Sequence, residues 1–354
     1  MMKSTEFITM EINSLMEKKR FVLSGYFGFK NFGDEAILSV LVQKLKEYNQ
    51  KITVISSDPQ YTTGKFKHIR SVYTFNLTDI IGAIAKSDYL ISGGGSLLQD
   101  TTSLKSLIYY LLIIFIGLIF GKKVIIFAQG IGPINNPIGK LLTKTLLKHC
   151  TYVSVRDLKS FELLKKWGIE SELLCDPIFS TEIEETEKAQ AVAIQLRNFH
   201  TMNEDFIDRL AQKVCQGFSD KTIEIYSFQD EIDFEVCKKF EKALNMLNPE
   251  IKTKVYSDLT DEEIITSISK CQYMIAMRFH AIIIGLLAGV KTMAINYDIK
   301  VEKLAKEFNL PLLSLQKEFK NQFKEIKEID LSEISAKVNL KSFNWSGFEK
   351  TISR

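Results

Sequence analysis

No two cysteines in this 354-residue chain are spaced as CxxC, and the four histidines show no metal-ligand spacing from Cys150, Cys175, Cys215, Cys237 or Cys271. That pattern argues against a zinc module or a disulfide scaffold and predicts buried free thiols in a reducing cytoplasm. Neither sign of charge dominates. The 46 basic and 43 acidic residues nearly cancel and form no long block, so no nucleic-acid-binding surface is expected. The opening stretch MMKSTEFITMEINSLMEKKR has no apolar core followed by a cleavage site, so it does not read as a secretory signal, and a cytoplasmic location is expected. No apolar run reaches the roughly 20 residues needed to span a bilayer. The longest uncharged run, Leu107 to Phe120, has fourteen residues between Lys105 and Lys122-Lys123. It reads either as a buried crossover helix or as a face lying on the inner membrane leaflet, with the lysines meeting anionic headgroups.

What is present is an ordinary globular composition, 45% hydrophobic and 25% charged, in a chain long enough for two cores. Short apolar runs ending in Gly, Ser or Asp alternate with helix-period segments, the pattern of parallel strands joined by crossover helices. Strands are expected at 21–26, 51–55, 89–91, 123–127, 152–155 and 173–175. After the acidic stretch 180–190 a second series follows, at 191–196, 222–227, 253–256, 273–277 and 292–296. The expected fold class is α/β, with Rossmann-like domains over 20–179 and 190–330 and a helical tail over 331–354. In such folds ligands sit beyond the carboxyl ends of the strands.

Three glycine-rich loops follow strands of the first half. GYFGFKNFGDEAIL, from Gly25, runs into a helix, with Gly28, Asn31 and Gly33 in its turn and Asp34 or Glu35 where the helix begins. It is not GxGxxG, and carboxylates at a helix start suit hydroxyl-rich ligands better than phosphates. SGGGSLLQD, from Ser92, exposes backbone N–H groups at Gly94 and Gly95 and offers Ser96, Gln99 and Asp100 as hydrogen-bonding groups. No lysine follows its glycines, which excludes a P-loop. AQGIGP, from Ala128, adds Gln129 at the same rim. In the second half, MRFHA places Arg278 and His280 at a strand-to-helix turn, a guanidinium able to hold a carboxylate or phosphate beside an imidazole able to exchange a proton. Arg197 occupies an equivalent strand end and could supply a second positive group. Arg156 and Asp157 read as residues that cap and brace a helix.

These stretches, together with SVRD from Ser154, CDP from Cys175 and MRFHAIIIGLLAGV from Met277, resemble the polysaccharide pyruvyl transferase family, most closely its CsaB type, in the family's order over about 21–300. The resemblance implies two Rossmann-like domains facing a cleft, as in GT-B glycosyltransferases, with a C-terminal helix crossing back. It implies phosphoenolpyruvate as co-substrate, no cofactor and no metal. The acceptor it implies is a lipid-linked saccharide, a β-N-acetylmannosamine of a cell-wall polymer. Arg278, His280 and Arg197 map to donor contacts, with Arg278, His280, Asp34 and Glu35 in catalytic roles. Gly28, Asn31, Asp34, Gly94, Gly95, Ser96, Gln99, Asp100 and Gln129 are expected on the acceptor side. Two rival readings are a nucleotide-sugar glycosyltransferase of the same fold and a non-catalytic lipid-carrier binding module.

Overall fold

The computed structural model describes residues 18–48, 50–199, 202 and 204–353. The opening stretch read for a signal lies almost wholly outside them. The chain divides into two compact units, one reaching to Pro177 and taking in the segment from Phe343, the other Ile178–Ser342. Residues 331–354, read as a helical tail, carry the helices Leu331–Asn339 and Ser346–Ser353, and the second of these belongs to the first unit.

The first unit is built on seven parallel strands: β1 (Lys19–Ser24), β2 (Gln50–Ser56), β3 (Arg70–Tyr73), β4 (Tyr89–Gly93), β5 (Lys123–Gln129), β6 (Tyr152–Val155) and β7 (Glu172–Leu173). Their order is β3-β2-β1-β4-β5-β6-β7. The central strands are apolar on both faces because helices cover both, and β4 is buried at all five positions. Winding runs outward from β1 in one direction and from β4 in the other, so right-handed crossovers place the later helices together on one face. There Val22, Leu90, Val124 and Ile126 meet Ile80, Ile84, Leu107, Leu111, Ile114 and Leu164 in one apolar cluster. Other aromatic side chains of the unit form a separate group. The Trp345 ring stacks on Phe127 at 5.4 Å and Phe348 packs edge-on to it at 5.2 Å, while the Tyr89 hydroxyl donates to the Ile352 carbonyl at 3.1 Å. These contacts fasten the terminal helix to its unit.

The apolar run 107–120 lies in the helix Leu104–Ile119. Its inner side buries Leu107, Tyr110, Leu111, Ile113 and Ile114. At Gly117 an added Cβ would come within 2.6 Å of Leu90 Cδ2, so glycine is what lets this helix lie close on β4. Its outer side leaves large apolar residues exposed. Among the described residues no helix is long and apolar enough to cross a membrane.

The second unit carries six parallel strands: β8 (Ala191–Gln195), β9 (Thr222–Tyr226), β10 (Thr253–Tyr256), β11 (Tyr273–Ala276), β12 (Lys291–Asn296) and β13 (Leu312–Ser314), in the order β10-β9-β8-β11-β12-β13. Both sheets therefore reverse their winding once, between β1 and β4 and between β8 and β11. Those two switch points are where an open α/β sheet forms a crevice at its carboxyl edge.

Candidate functional site

At the β8–β11 switch point, Arg278 follows β11 and is the N-cap of the helix Phe279–Leu287. Its side chain does not cap that helix, because it turns to the helix Asp230–Leu247. Nε donates to Asp233 Oδ2 at 2.7 Å and Nη2 to Asp233 Oδ1 at 2.8 Å, a two-pronged ion pair in which both side chains are buried. Nη2 also reaches Gln229 Oε1 at 3.3 Å, and the Arg278 backbone N–H donates to Gln195 Oε1 at 2.7 Å. Gln195, at the end of β8, is fully buried, so it locks the turn to the neighbouring strand. Two of the three guanidinium nitrogens are thus held inside the protein, and Nη1 is the nitrogen these bonds leave unused. His280, the second residue of the helix, is half-buried with its ring edge-on to Phe279.

Arg197 follows β8 and is half-buried. Its guanidinium lies over the Tyr297 ring at 5.5 Å and its Nη1 donates to the Tyr297 hydroxyl at 3.3 Å. Its Nε is buried and has no hydrogen-bond partner among the described residues. A buried donor left unmade is costly, which marks this nitrogen as one that an acceptor atom would satisfy. Asp233 feels both arginines: burial pushes its carboxyl above the ordinary carboxylate value, while the bonds and charge of Arg278 and the charge of Arg197 pull against that. Two guanidinium groups at the ends of adjacent strands, only one of them ion-paired to Asp233, give this edge cationic character, the electrostatics of an anion site.

At the β1–β4 switch point the groups are of another kind. Asn31 caps the helix Phe32–Leu45, its side-chain oxygen accepting from the Gly33 N–H at 3.2 Å. Glu35 Oε1 accepts from the Gly28 N–H at 2.7 Å, pinning the loop that Gly28, at φ +80°, turns. Asp34, also buried, sets its carboxylate against the backbone of Gly94 and Gly95. Both glycines have positive φ, and a Cβ on Gly95 would lie 2.8 Å from Asp34 Oδ1. The Tyr110 hydroxyl is pushed above its usual value by burial and, less, by the Asp34 charge.

Gln129 ends β5 fully buried. Its Nε2 donates to the Ser92 hydroxyl at 3.0 Å, and its Oε1 has no partner among the described residues. The Ser96 hydroxyl accepts from Arg156 Nη2 at 3.4 Å, and Arg156 Nη1 makes a buried ion pair with Asp176. The SVRD and CDP stretches therefore meet in one contact. Asp157 caps the helix Leu158–Lys166, as its sequence setting predicts.

Two expected acceptor-side residues are committed to the loops themselves. Gln99 Oε1 accepts from the Thr101 N–H at 2.7 Å and the Thr102 N–H at 3.2 Å, and its Nε2 donates to the Thr102 hydroxyl at 2.6 Å. The Asp100 carboxylate takes the Asn135 and Asn136 N–H groups at 2.8 and 2.6 Å, and these backbone bonds hold its pKa below the ordinary value. Sequence reading missed Asp233, Gln229, Gln195 and Tyr297. Asp233 lies 45 positions from its partner and looks like one more acid in the first turn of an amphipathic helix, beside Asp230 and Glu231. Tyr297 had a signal, since it follows β12 directly, at the same sheet edge as Arg197 and Arg278. Among the described residues no group of His, Cys, Asp and Glu side chains could hold a metal ion.

Among solved structures, the UDP-GlcNAc 2-epimerase of Methanocaldococcus jannaschii superposes with a TM-score of 0.61 at 12% identity, over 95% of this chain and 98% of that one. The Neisseria meningitidis UDP-GlcNAc 2-epimerase bound to UDP-GlcNAc gives 0.60 at 11% identity, over 95% and 98%. The sucrose-phosphate synthase of Thermosynechococcus elongatus gives 0.57 at 11% identity, also over 95% and 98%. At such identities the likeness shows the fold alone, α/β with two parallel sheets of the GT-B-like class. No curated protein matches the sequence. The polysaccharide pyruvyl transferase family matches residues 31–299, most of the chain, so this chain belongs to that family and is a transferase.

Proposed function

We propose, with membership of that family as the premise, that the chain transfers the pyruvyl group of phosphoenolpyruvate to a sugar of a cell-envelope polymer as a ketal, most specifically to a β-N-acetylmannosamine on a lipid-linked precursor. The observation that carries this reading is the placing of two arginines at the ends of the adjacent strands β8 and β11, Arg278 braced by its ion pair with Asp233 and the Arg197 Nε buried and unpartnered among the described residues. Phosphoenolpyruvate brings two anionic groups, a carboxylate and a phosphate, and excess cationic charge on a rigid ion-paired frame suits both.

In the proposed reaction the methylene carbon of the donor takes a proton, and the adjacent carbon becomes electrophilic. A sugar hydroxyl attacks that carbon and gives up its proton, phosphate leaves with the C–O bond electrons, and a second hydroxyl closes the ketal with loss of its own proton. Arg197 and the Nη1 of Arg278 hold the donor's anionic groups as charge moves. His280 is the proton donor or a phosphate ligand. On the acceptor side, Asp34 and the Gln129 Oε1 take sugar hydroxyls, while Glu35, Gln99 and Asp100 hold the loops that present them. CsaB-type specificity is part of this proposal.

Phosphate release from phosphoenolpyruvate, measured with and without a synthetic lipid-linked N-acetylmannosamine disaccharide, tests the reading. Acceptor-dependent release with an acceptor heavier by one pyruvyl ketal in the mass spectrum supports it. If phosphoenolpyruvate neither binds nor is consumed, the donor assignment fails. A second reading, transfer from a nucleotide sugar, draws on the UDP-GlcNAc of the neisserial structure. Calorimetric binding of UDP-GlcNAc without any binding of phosphoenolpyruvate would favour it.

A further inference from the structure

The outer side of the helix Leu104–Ile119 exposes Ile108, Leu112, Phe115 and Ile119, spaced four, three and four apart, so they form one stripe along the helix. Ile119 is 64% exposed. The helix Pro137–Leu147 packs beside it: a Cβ on Gly139 would come within 3.0 Å of Leu107 Cδ2. That neighbour adds Ile138 and Leu141 to the exposed apolar surface. A contiguous apolar face over two neighbouring helices is more than scattered surface leucines and marks a site that something covers.

The charge around this face identifies what covers it. From Thr101 to Val155 the chain has no Asp or Glu, while Lys105, Lys122, Lys123, Lys140, Lys144 and Lys148 are all basic. The chain as a whole is nearly neutral, at +3. Lys105, Lys140 and Lys148 are exposed on the two helices or at their end, and Lys144 is half-buried. Exposed apolar residues on one side of a short helix, lysines at its margin and no Asp or Glu on either helix are the features of a helix that lies in a membrane interface. No described helix is long and apolar enough to cross. We propose that this two-helix face docks the first unit on an anionic bilayer, with the apolar stripe entering the headgroup boundary and the lysines meeting lipid phosphates. The proposal draws only on this face, and its test does not require turnover, so it stands or falls separately from the reaction proposed above.

Flotation of the full chain with vesicles tests it. The chain is expected to float with phosphatidylglycerol–phosphatidylcholine vesicles, less so as salt rises, and little with phosphatidylcholine alone. Ile119→Ser with Leu141→Ser should lower binding at least about tenfold, since each removes a side chain worth that order when buried. Lys140→Gln with Lys144→Gln should lower it about tenfold and flatten the salt dependence. Leu340→Ser, exposed in the second unit, should leave binding as in the wild type. All five of these positions are at the surface or close to it. Should the first double variant lose its thermal transition, Ile108→Ser with Phe115→Ser repeats the test. Absence of flotation on anionic vesicles overturns the proposal, as does unchanged binding by the folded serine variants. Sedimentation showing a wild-type dimer that the serine changes make monomeric, with vesicle binding unaffected, overturns it in favour of self-association.

Discussion

The two switch points share a topology and differ in chemistry. Between β1 and β4, carboxylates and amides sit among left-handed glycines, and several of them, Glu35, Gln99 and Asp100, accept backbone N–H bonds and so hold loop shape. Between β8 and β11 the turn is short and the charged groups are cations braced by a buried acid. One edge presents backbone groups, amides and carboxylate oxygens, and the other holds positive charge in place. Similar polar residues at equivalent strand ends therefore do different work, decided by whether a backbone N–H or another side chain takes them up.

The largest effect that would sharpen this contrast is at Asp233. Asp233→Ala leaves the Arg278 guanidinium buried without its counter-charge and should cost about 3–5 kcal/mol, read from the urea midpoint. A change near zero would mean that the second edge does not depend on its ion pair. Next, Arg197→Ala and Arg278→Ala should each lower turnover by about tenfold to a thousandfold. Arg197→Ala should do so with the smaller loss of stability, since it gives up only its bond and ring contact to Tyr297, whereas Arg278→Ala leaves Asp233 buried without its counter-charge. Unchanged kinetics in a folded Arg197→Ala protein would break the assignment of charge-holding to that edge.

At the other edge, Gly95→Ala must hold φ +51° and meet Asp34 Oδ1, and should cost about 1–3 kcal/mol in a thermal melt. Gly121→Ala makes the comparison sharper: φ is +64° but open space surrounds it, so only the backbone penalty remains. The smallest effect concerns Asp100. Its pKa is lowered in the fold by the Asn135 and Asn136 N–H groups, so the carboxylate stabilises the protein above the unfolded value near about 3.9 and loses that contribution as pH falls through the lower folded value. Asp100→Ala should thus melt slightly earlier than wild type at pH 7, with the gap closing below about pH 4.

Much of the fold was legible because the central strands are buried on both faces and read as unbroken apolar runs, as in VLS of β1 or YLISG of β4. The edge strands β3 and β13 were missed. RSVY is half-exposed with no long apolar run, and LLS has three residues, so their pairing comes from β2 and β12 rather than from their own pattern. In the candidate site, Arg278, His280 and the glycine loops stood out by composition at strand ends. Asp233 did not, because a buried ion pair leaves no local pattern when its members lie on separate elements. Gln99 and Asp100 drew attention as polar groups after glycines, yet a turn that closes on its own backbone uses the same residues as one that opens to a ligand.

The sequence by itself determined the alternation of strands and helices, the positions of the glycine turns and the charge of the arginine-bearing edge, since each follows from local periodicity or from residue chemistry at a strand end. Tertiary structure decided which side of the helix Leu104–Ile119 is covered and which polar groups are taken. A uniformly apolar helix has no periodicity to announce its outer face, and only the sheet lying against one side leaves the stripe from Ile108 to Ile119 exposed.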